Sequence, residues 1–211
     1  RCNKKPMKGF NYNGLRIYTH PEVYEPAEDT FQLLESMKIK PDDTVLEIGT
    51  GCGIIGLECA RLGARVVATD INPYAVALTL SNIKQNKDKL KGSIEVRYGD
   101  LYSPLRKNER FSVVVFNPPY LPTRSSELMD DAGWFDISVN GGRDGLKIIR
   151  RFLQGLRGKI SGNGGAYLMY SSLIDKKKFN TYIEKYNLHA DLISSRRFDE
   201  EILEVYYLSI V

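Results

Sequence analysis

Cysteine, histidine and tryptophan are scarce in this chain of 211 residues, which holds three, two and one of them respectively. Cys2, Cys52 and Cys59 form no C-x-x-C pair, and an odd number cannot all pair within the chain, so they read as reduced thiols rather than a disulfide framework. His20 and His189 lie far apart, and neither has a Cys or His partner at metal-ligand spacing, so no metal site is expected. No apolar run approaches the ~20 residues of a spanning helix. The basic start Arg1-Cys2-Asn3-Lys4-Lys5 is not followed by an apolar stretch of the signal-peptide kind. A net charge of only +4 gives no concentrated basic stripe of the sort nucleic-acid binders carry. Lysines within 84–91 and 176–178 fall on expected helix faces and read as solvated. A soluble, cytosolic protein without membrane contact is expected.

Hydrophobic content of 42% and charged content of 27% are those of a globular protein. The length predicts one domain over 1–211, built as an N-terminal extension (1–40) on a core (41–211). Residues 10–18 alternate around Asn13-Gly14, the dipeptide that favours a two-residue hairpin turn. Pro26 then opens a helix to about Lys38, with Glu28 and Asp29 in its first turn, where the helix dipole favours acids. From Pro41 on, short apolar strands (44–48, 65–69, 93–98, 112–116, 166–170, 188–194, 202–210) interleave with helices (53–62, 73–86, 145–156, 175–186). Strands apolar on both faces between helices predict a doubly wound, Rossmann-like α/β fold with a mostly parallel seven-stranded sheet. The last two strands have no helix between them, so one strand near the C-terminus must run antiparallel. Residues 121–140 form the longest irregular segment. Trp134 within it is expected to anchor the loop rather than line a substrate lid.

Asn117-Pro118-Pro119-Tyr120 ends the fourth core strand. Proline fixes φ and lacks an N–H, so a Pro-Pro step holds its carbonyls in set directions. A carbonyl beside an Asn side chain gives two acceptors, which suit the –NH2 of a carboxamide or an exocyclic base amine; the flat Tyr120 ring can pack on the same group. A plain proline turn would read the same way, so context decides.

Glu47-Ile48-Gly49-Thr50-Gly51-Cys52-Gly53 stands where the first core strand turns into a helix, the place where open α/β sheets bind ligands. Asp70 ends the second strand and can accept from both hydroxyls of a ribose. Asp100 follows the third and can accept from an adenine amino group, with the Leu101 backbone at the ring edge. Three strand-end acids in step describe a nucleoside pocket. Gly51-x-Gly53-x-x-Gly56 also fits a dinucleotide fingerprint, but Glu47 suits a cationic ligand better than a pyrophosphate, and no hydride-transfer arrangement is evident. Cys52 reads as a small packing residue.

Glu47-x-Gly49-x-Gly51-x-Gly53, Asp70, Asp100 and Asn117-Pro118-Pro119-Tyr120, in that order, resemble the class I S-adenosylmethionine-dependent methyltransferases of the HemK/PrmC group over nearly the whole chain. Val23-Tyr24-Glu25-Pro26-Ala27-Glu28-Asp29-Thr30 is similar to the archaeal and eukaryotic branch that methylates glutamine in the Gly-Gly-Gln loop of class 1 release factors. Gly141-Gly142-Arg143-Asp144-Gly145 is close to a loop of that family, with Asp144 read as a helix N-cap. The resemblance implies S-adenosylmethionine contacts at Thr30, Glu47, Gly49, Gly51, Gly53, Asp70, Ile71, Asp100, Leu101 and Asn117. It implies catalytic roles for Asn117, Pro118 and Tyr120, with Pro119 joining them around the substrate. It also implies a small zinc-ribbon activator protein on the edge strand Ser93–Tyr98. N6-adenine methylation of DNA or RNA is the main rival, because an adenine amine fits the same two acceptors. Beyond the core there are only the hairpin, one helix and the 121–140 loop to grip a flipped base, which favours a protein substrate. A lysine amine is a third possible acceptor, less well matched to a planar clamp. An idle scaffold would have no need of the tetrad.

Overall fold

A computed structural model describes residues 8–123 and 133–211. Asn13 and Gly14 both take positive φ (46° and 82°), as a two-residue hairpin turn requires, and join β1 (Gly9–Tyr12) to β2 (Leu15–Tyr18) in antiparallel register. Leu15 and Ile17 are fully buried. After Pro26, helix α1 (Glu28–Ser36) starts from Ala27 and stops before Met37, whose backbone is extended; it is shorter at both ends than its periodicity suggests.

The core runs β3 (Thr44–Ile48), α2 (Ile54–Leu62), β4 (Arg65–Asp70), α3 (Pro73–Gln85), β5 (Ser93–Tyr98), β6 (Phe111–Phe116), α4 (Trp134–Val139), α5 (Lys147–Leu156), β7 (Ile160–Ser171), α6 (Lys176–Lys185), β8 (Leu188–Phe198) and β9 (Glu201–Ile210). Its seven strands lie in the order β5-β4-β3-β6-β7-β9-β8. The pairs from β5 through β7 are parallel, and β9 runs antiparallel to both neighbours, as a connection too short for a crossover demands. Successive residues of β6 alternate between two apolar layers: Val113 and Val115 pack with α1, α2 and α3, while Val114 and Phe116 pack with α5 and α6. Burial on both faces explains why these strands read as continuous apolar runs. Chain order reverses between β3 and β6, which opens a crevice at their carboxyl ends.

The hairpin is fastened to this core by two asparagines. Asn82 of α3 accepts from Tyr18 N (3.0 Å) and donates to Tyr18 O (3.0 Å); Asn86 does the same for Arg16 N and O (2.8 Å each). Each side-chain amide thereby mimics a pairing strand.

Several local expectations change. Part of the 121–140 segment is helical, because α4 occupies its far end; residues 124–132 lie outside the described residues. β7 starts at Ile160 rather than 166, running through a glycine-rich stretch whose register against β6 shifts between Phe111 and Val113. α5 starts at Lys147, and Asp144 instead accepts from Leu146 N just ahead of it (3.2 Å). Lys84, Lys87, Lys89 and Lys91 are exposed, as read, but Lys176 is half-buried. Its ammonium sits over the Tyr170 and Tyr206 rings, 4.4 and 4.1 Å from their centroids, and pairs with Glu204 (2.8 Å) and the Tyr206 hydroxyl. Among the described residues no helix is long and apolar enough to cross a membrane.

Candidate active site

A cavity of about 350 Å³ occupies the crevice above β3, β4 and β6. Thr30, Gly49, Gly51, Asp70, Ile71, Asp100, Leu101, Asn117 and Pro119 line it. A recess of about 80 Å³, walled by Asp29, Pro118, Tyr120 and Val139, shares Asn117 and Pro119 with it. Chain order therefore delivers nearly every expected residue to one place.

Glu47 and Gly53 support the wall from behind and do not line it. Glu47 is 2% exposed beneath the glycine turn, where its Oε2 accepts from Thr50 Oγ1 (2.7 Å) and Gly56 N (3.1 Å), while Oε1 has no partner. Burial, reinforced by the negative charge of Asp70 and opposed by the Thr50 bond, pushes its carboxyl up to about 8. Gly53 begins α2 at φ +84°, and a Cβ there would lie 2.6 Å from Thr79 Cγ2, so only glycine fits. The same threonine donates from Oγ1 to Gly51 O (3.0 Å), and Asn82 Nδ2 donates to Cys52 O (2.8 Å). Helix α3 thus ties both the hairpin and the glycine turn to one surface. Cys52 is buried and its thiol is pushed up to about 12 by that burial, consistent with packing rather than nucleophilic chemistry.

Asp70 Oδ2 accepts from Gly51 N (2.9 Å) and Oδ1 from Asn72 N (2.8 Å). These bonds fix the carboxylate at the cavity wall, and each oxygen keeps a lone pair for a further donor. Burial raises its pKa. Asp100, read as an acceptor for an adenine amino group, already has a partner: Arg151 of α5 holds it through Nη2 (2.6 Å) and Nη1 (3.3 Å).

The Asn117 side chain is oriented by an acid whose part the sequence did not reveal. Its Nδ2 donates to Asp29 Oδ2 (3.0 Å) and Thr30 Oγ1 (3.4 Å), which leaves Oδ1 buried without a partner. A buried acceptor left unpaired costs about 1–3 kcal/mol, a cost a ligand donor removes. Burial and the Asp29 charge raise the Tyr120 phenol far above its ordinary value, and Tyr24 is raised likewise, so both remain protonated at neutral pH. Gly145 packs behind the tetrad: a Cβ on it would lie 2.5 Å from Tyr120 O. That close approach accounts for a glycine at this point of the 141–145 loop.

Trp134, Ile137, Ser138, Lys147 and Arg151 also line the large cavity, although no motif marks them, as does Tyr24 of the 23–30 segment. Trp134, expected to be a loop anchor, belongs to that wall, and its backbone N–H donates to Glu22 Oε2 (3.1 Å). The one available signal was the lone tryptophan itself, placed shortly after the tetrad.

Strand-end acids and a glycine turn at the switch point, with an amide acceptor across the crevice, define a group-transfer enzyme of the class I methyltransferase fold. The Methyltransferase small domain family matches residues 14–131, and the chain belongs to it, within the HemK/PrmC-type group. It is 39% identical over 166 residues to the putative protein N5-glutamine methyltransferase MJ0928 of Methanocaldococcus jannaschii, covering 78% of this chain and 80% of that protein. It is 31% identical over 197 residues to the methyltransferase HEMK2 of Homo sapiens, covering 87% of this chain and 88% of that one. Among solved structures, the Mtq2–Trm112 complex of E. cuniculi, described as responsible for methylation of the eRF1 translation termination factor, superposes with a TM-score of 0.69. That match covers 90% of this chain and 99% of the other at 23% identity, a likeness of fold.

Proposed function

We propose that this protein is an S-adenosylmethionine-dependent N-methyltransferase whose acceptor is the side-chain amide of glutamine in the Gly-Gly-Gln loop of a class 1 release factor. The observation that carries this reading is the unpartnered Asn117 Oδ1 in the wall between the large cavity and the 80 Å³ recess. An unpartnered amide acceptor, followed in sequence by the Pro118 carbonyl, suits a planar –NH2 donor. The recess, about 80 Å³ beside the larger cavity, has room for a carboxamide. A lysine would arrive as an ammonium, a compact three-donor group with no flat face to lie against Tyr120, and matches two fixed acceptors beside a ring less well than a carboxamide does. The 39%-identical relative named for glutamine methylation supports the same acceptor.

The cofactor fits the large cavity. A volume of about 350 Å³ lies in the ~300–1,000 Å³ range of small-molecule sites. Asp70, fixed by two backbone N–H groups, would take the ribose hydroxyls; Ile71 and Leu101 would flank the adenine, with Asp100 at its edge. Thr30, Gly49 and Gly51 would meet the amino acid end, and the buried carboxyl of Glu47 behind the turn favours a cationic ligand. S-adenosylmethionine supplies, when bound, a methyl group on a positively charged sulfur.

The chain's own residues do the rest by placement. Asn117 Oδ1 and the Pro118 carbonyl would accept the two amide hydrogens, drawing electron density to a nitrogen whose lone pair is otherwise delocalised. Tyr120 would pack on the flat group and aim it. Held this way, the amide nitrogen would accept the methyl group and then release one proton to water. Such positioning can lower a barrier by up to ~7–11 kcal/mol in ideal cases. No strong general base is required.

A small zinc-ribbon activator protein would pair along β5, whose outer edge is free among the described residues. Ile94 and Val96 are half-buried there and Tyr98 is 61% exposed.

The test is incubation of the purified protein, with and without such a partner, with a class 1 release factor and methyl-labelled cofactor, followed by peptide mass spectrometry. A single labelled glutamine is expected. Label in nucleic acid and none in protein would sink the reading.

A further inference from the structure

We propose that Asp29 is the positioning residue that fixes which end of the Asn117 amide meets the acceptor substrate, and so makes the site selective for an –NH2 donor; this rests on the amide-methylation reading. Asp29 and Asn117 are 88 positions apart, brought together by α1 folding across the end of β6. Asp29 is 4% exposed, and its place is determined from several sides. Oδ1 accepts from the Tyr24 hydroxyl (3.1 Å) and from Thr30 Oγ1 (3.1 Å), leaving Oδ2 to meet Asn117 Nδ2 at 3.0 Å.

The direction of that last bond is set by chemistry. An ionised carboxylate only accepts, so an amide facing it must present its NH2. The opposite rotamer would set the Asn117 oxygen against the Asp29 oxygen. With its Nδ2 turned to Asp29 and Thr30, the carbonyl end is left unpartnered. Without a fixed carboxylate, a terminal amide has two nearly equal orientations. A large share of the molecules would then offer a donor to a substrate that is itself a donor.

Asp29→Asn is the discriminating change, because it keeps size and shape while adding a donor that lets Asn117 turn either way. We expect kcat to fall about 10²-fold, the scale of losing one preorganised polar contact, with cofactor Kd within about threefold of the parent. The double variant Asp29→Asn/Asn117→Asp restores the pattern in reverse: the amide introduced at position 29 donates, and the carboxylate introduced at position 117 presents oxygen whichever way it turns. It should recover at least about tenfold of the lost kcat. Tyr24→Phe, which removes one anchor of Asp29 and little else, should lower kcat about three- to tenfold, and serves if Asp29→Asn does not fold.

In the parent, the Asn117 side-chain amide protons should resist hydrogen exchange, and Asp29→Asn should abolish that protection. This readout needs no substrate. A parent that methylates no glutamine while keeping the protected amide overturns the functional reading alone. An active parent whose Asp29→Asn variant keeps kcat within about twofold overturns the positioning role. So does a variant that loses stability and cofactor affinity together with no recovery in the double exchange.

Discussion

Arg151 Nη2 and Asp100 Oδ2 lie 2.6 Å apart at the wall of the large cavity, in an ion pair whose side chains are 45% and 39% exposed. The pair occupies the carboxylate read as the adenine acceptor, so an adenine amine must share or displace the guanidinium. An exposed pair is worth at most ~1 kcal/mol. Arg151→Gln should therefore tighten binding of S-adenosylhomocysteine by no more than about fivefold, most visibly at low salt, and Asp100→Ala should weaken it about tenfold. Calorimetric titration at two ionic strengths decides. Weaker binding in Arg151→Gln would mean that Arg151 itself holds the ligand.

Glu47 makes the ligand-free protein pH-sensitive in a defined direction. Its folded carboxyl lies at about 8, above the ordinary 4.5, so its contribution to stability is fully present below about 4.5 and is lost as pH rises through about 8. Asp70, also raised, adds to the same slope. The melting temperature of the ligand-free protein should fall across this window, and Glu47→Gln should flatten much of the fall. A cationic ligand favours the ionised form, so binding near pH 7 should release protons, seen as binding heats that depend on the buffer's ionisation enthalpy. An unchanged slope in Glu47→Gln would remove the carboxyl from this role.

Asn117→Ala removes the unpartnered acceptor while leaving the glycine turn and Asp70 in place. We expect kcat to drop by roughly 10²–10³ and cofactor affinity to stay within about threefold, measured by single-turnover labelling and calorimetry. A large loss of cofactor binding with kcat retained would put Asn117 on the cofactor side instead.

What the sequence made legible was local. The β3 turn, Asp70 and the tetrad sit at strand ends, and a buried parallel strand announces its own end by the change from apolar run to glycine, acid or proline. The β9 reversal was legible because 188–210 holds too few residues for a crossover. What escaped depended on distant partners. Asp29 reads as an ordinary first-turn acid until α1 brings it to a residue 88 positions away. Asp100 reads as an adenine acceptor, and nothing near it in the chain signals that α5 sets Arg151 on it. Helix α4 has six residues, too few to show a period, and the glycines at the start of β7 interrupt the apolar run that marks a strand, although the strand runs through them.

Gly53 offers a test of the turn itself. Gly53→Ala places a Cβ against Thr79 Cγ2 at positive φ, for an expected loss of roughly 2–4 kcal/mol. Thr79→Ser removes that methyl and keeps the hydroxyl that donates to Gly51 O. Urea melts of the double variant should recover about 1 kcal/mol or more of the loss. Strict additivity of the two single changes would show that the contact is not the cause.

The free edge of β5 makes a separable prediction about the partner. Arg97 holds Glu109 (2.7 Å) and Glu95 (2.9 Å) at once, which stiffens this edge without using Tyr98, the most exposed large hydrophobic side chain on the strand. A protein adding a strand along β5 would cover that ring. Tyr98→Glu puts an unpaired charge where the ring would be buried, and should weaken a small zinc-ribbon partner by at least about tenfold. The melting temperature of the isolated chain should hardly move, since the ring already stands in solvent. Size-exclusion co-elution and calorimetry with Tyr98→Glu against Lys87→Glu, an exposed change on the 3-10 turn after α3, separate edge docking from simple charge effects. Equal weakening by both would point to long-range charge, and no weakening by either would move the partner off β5.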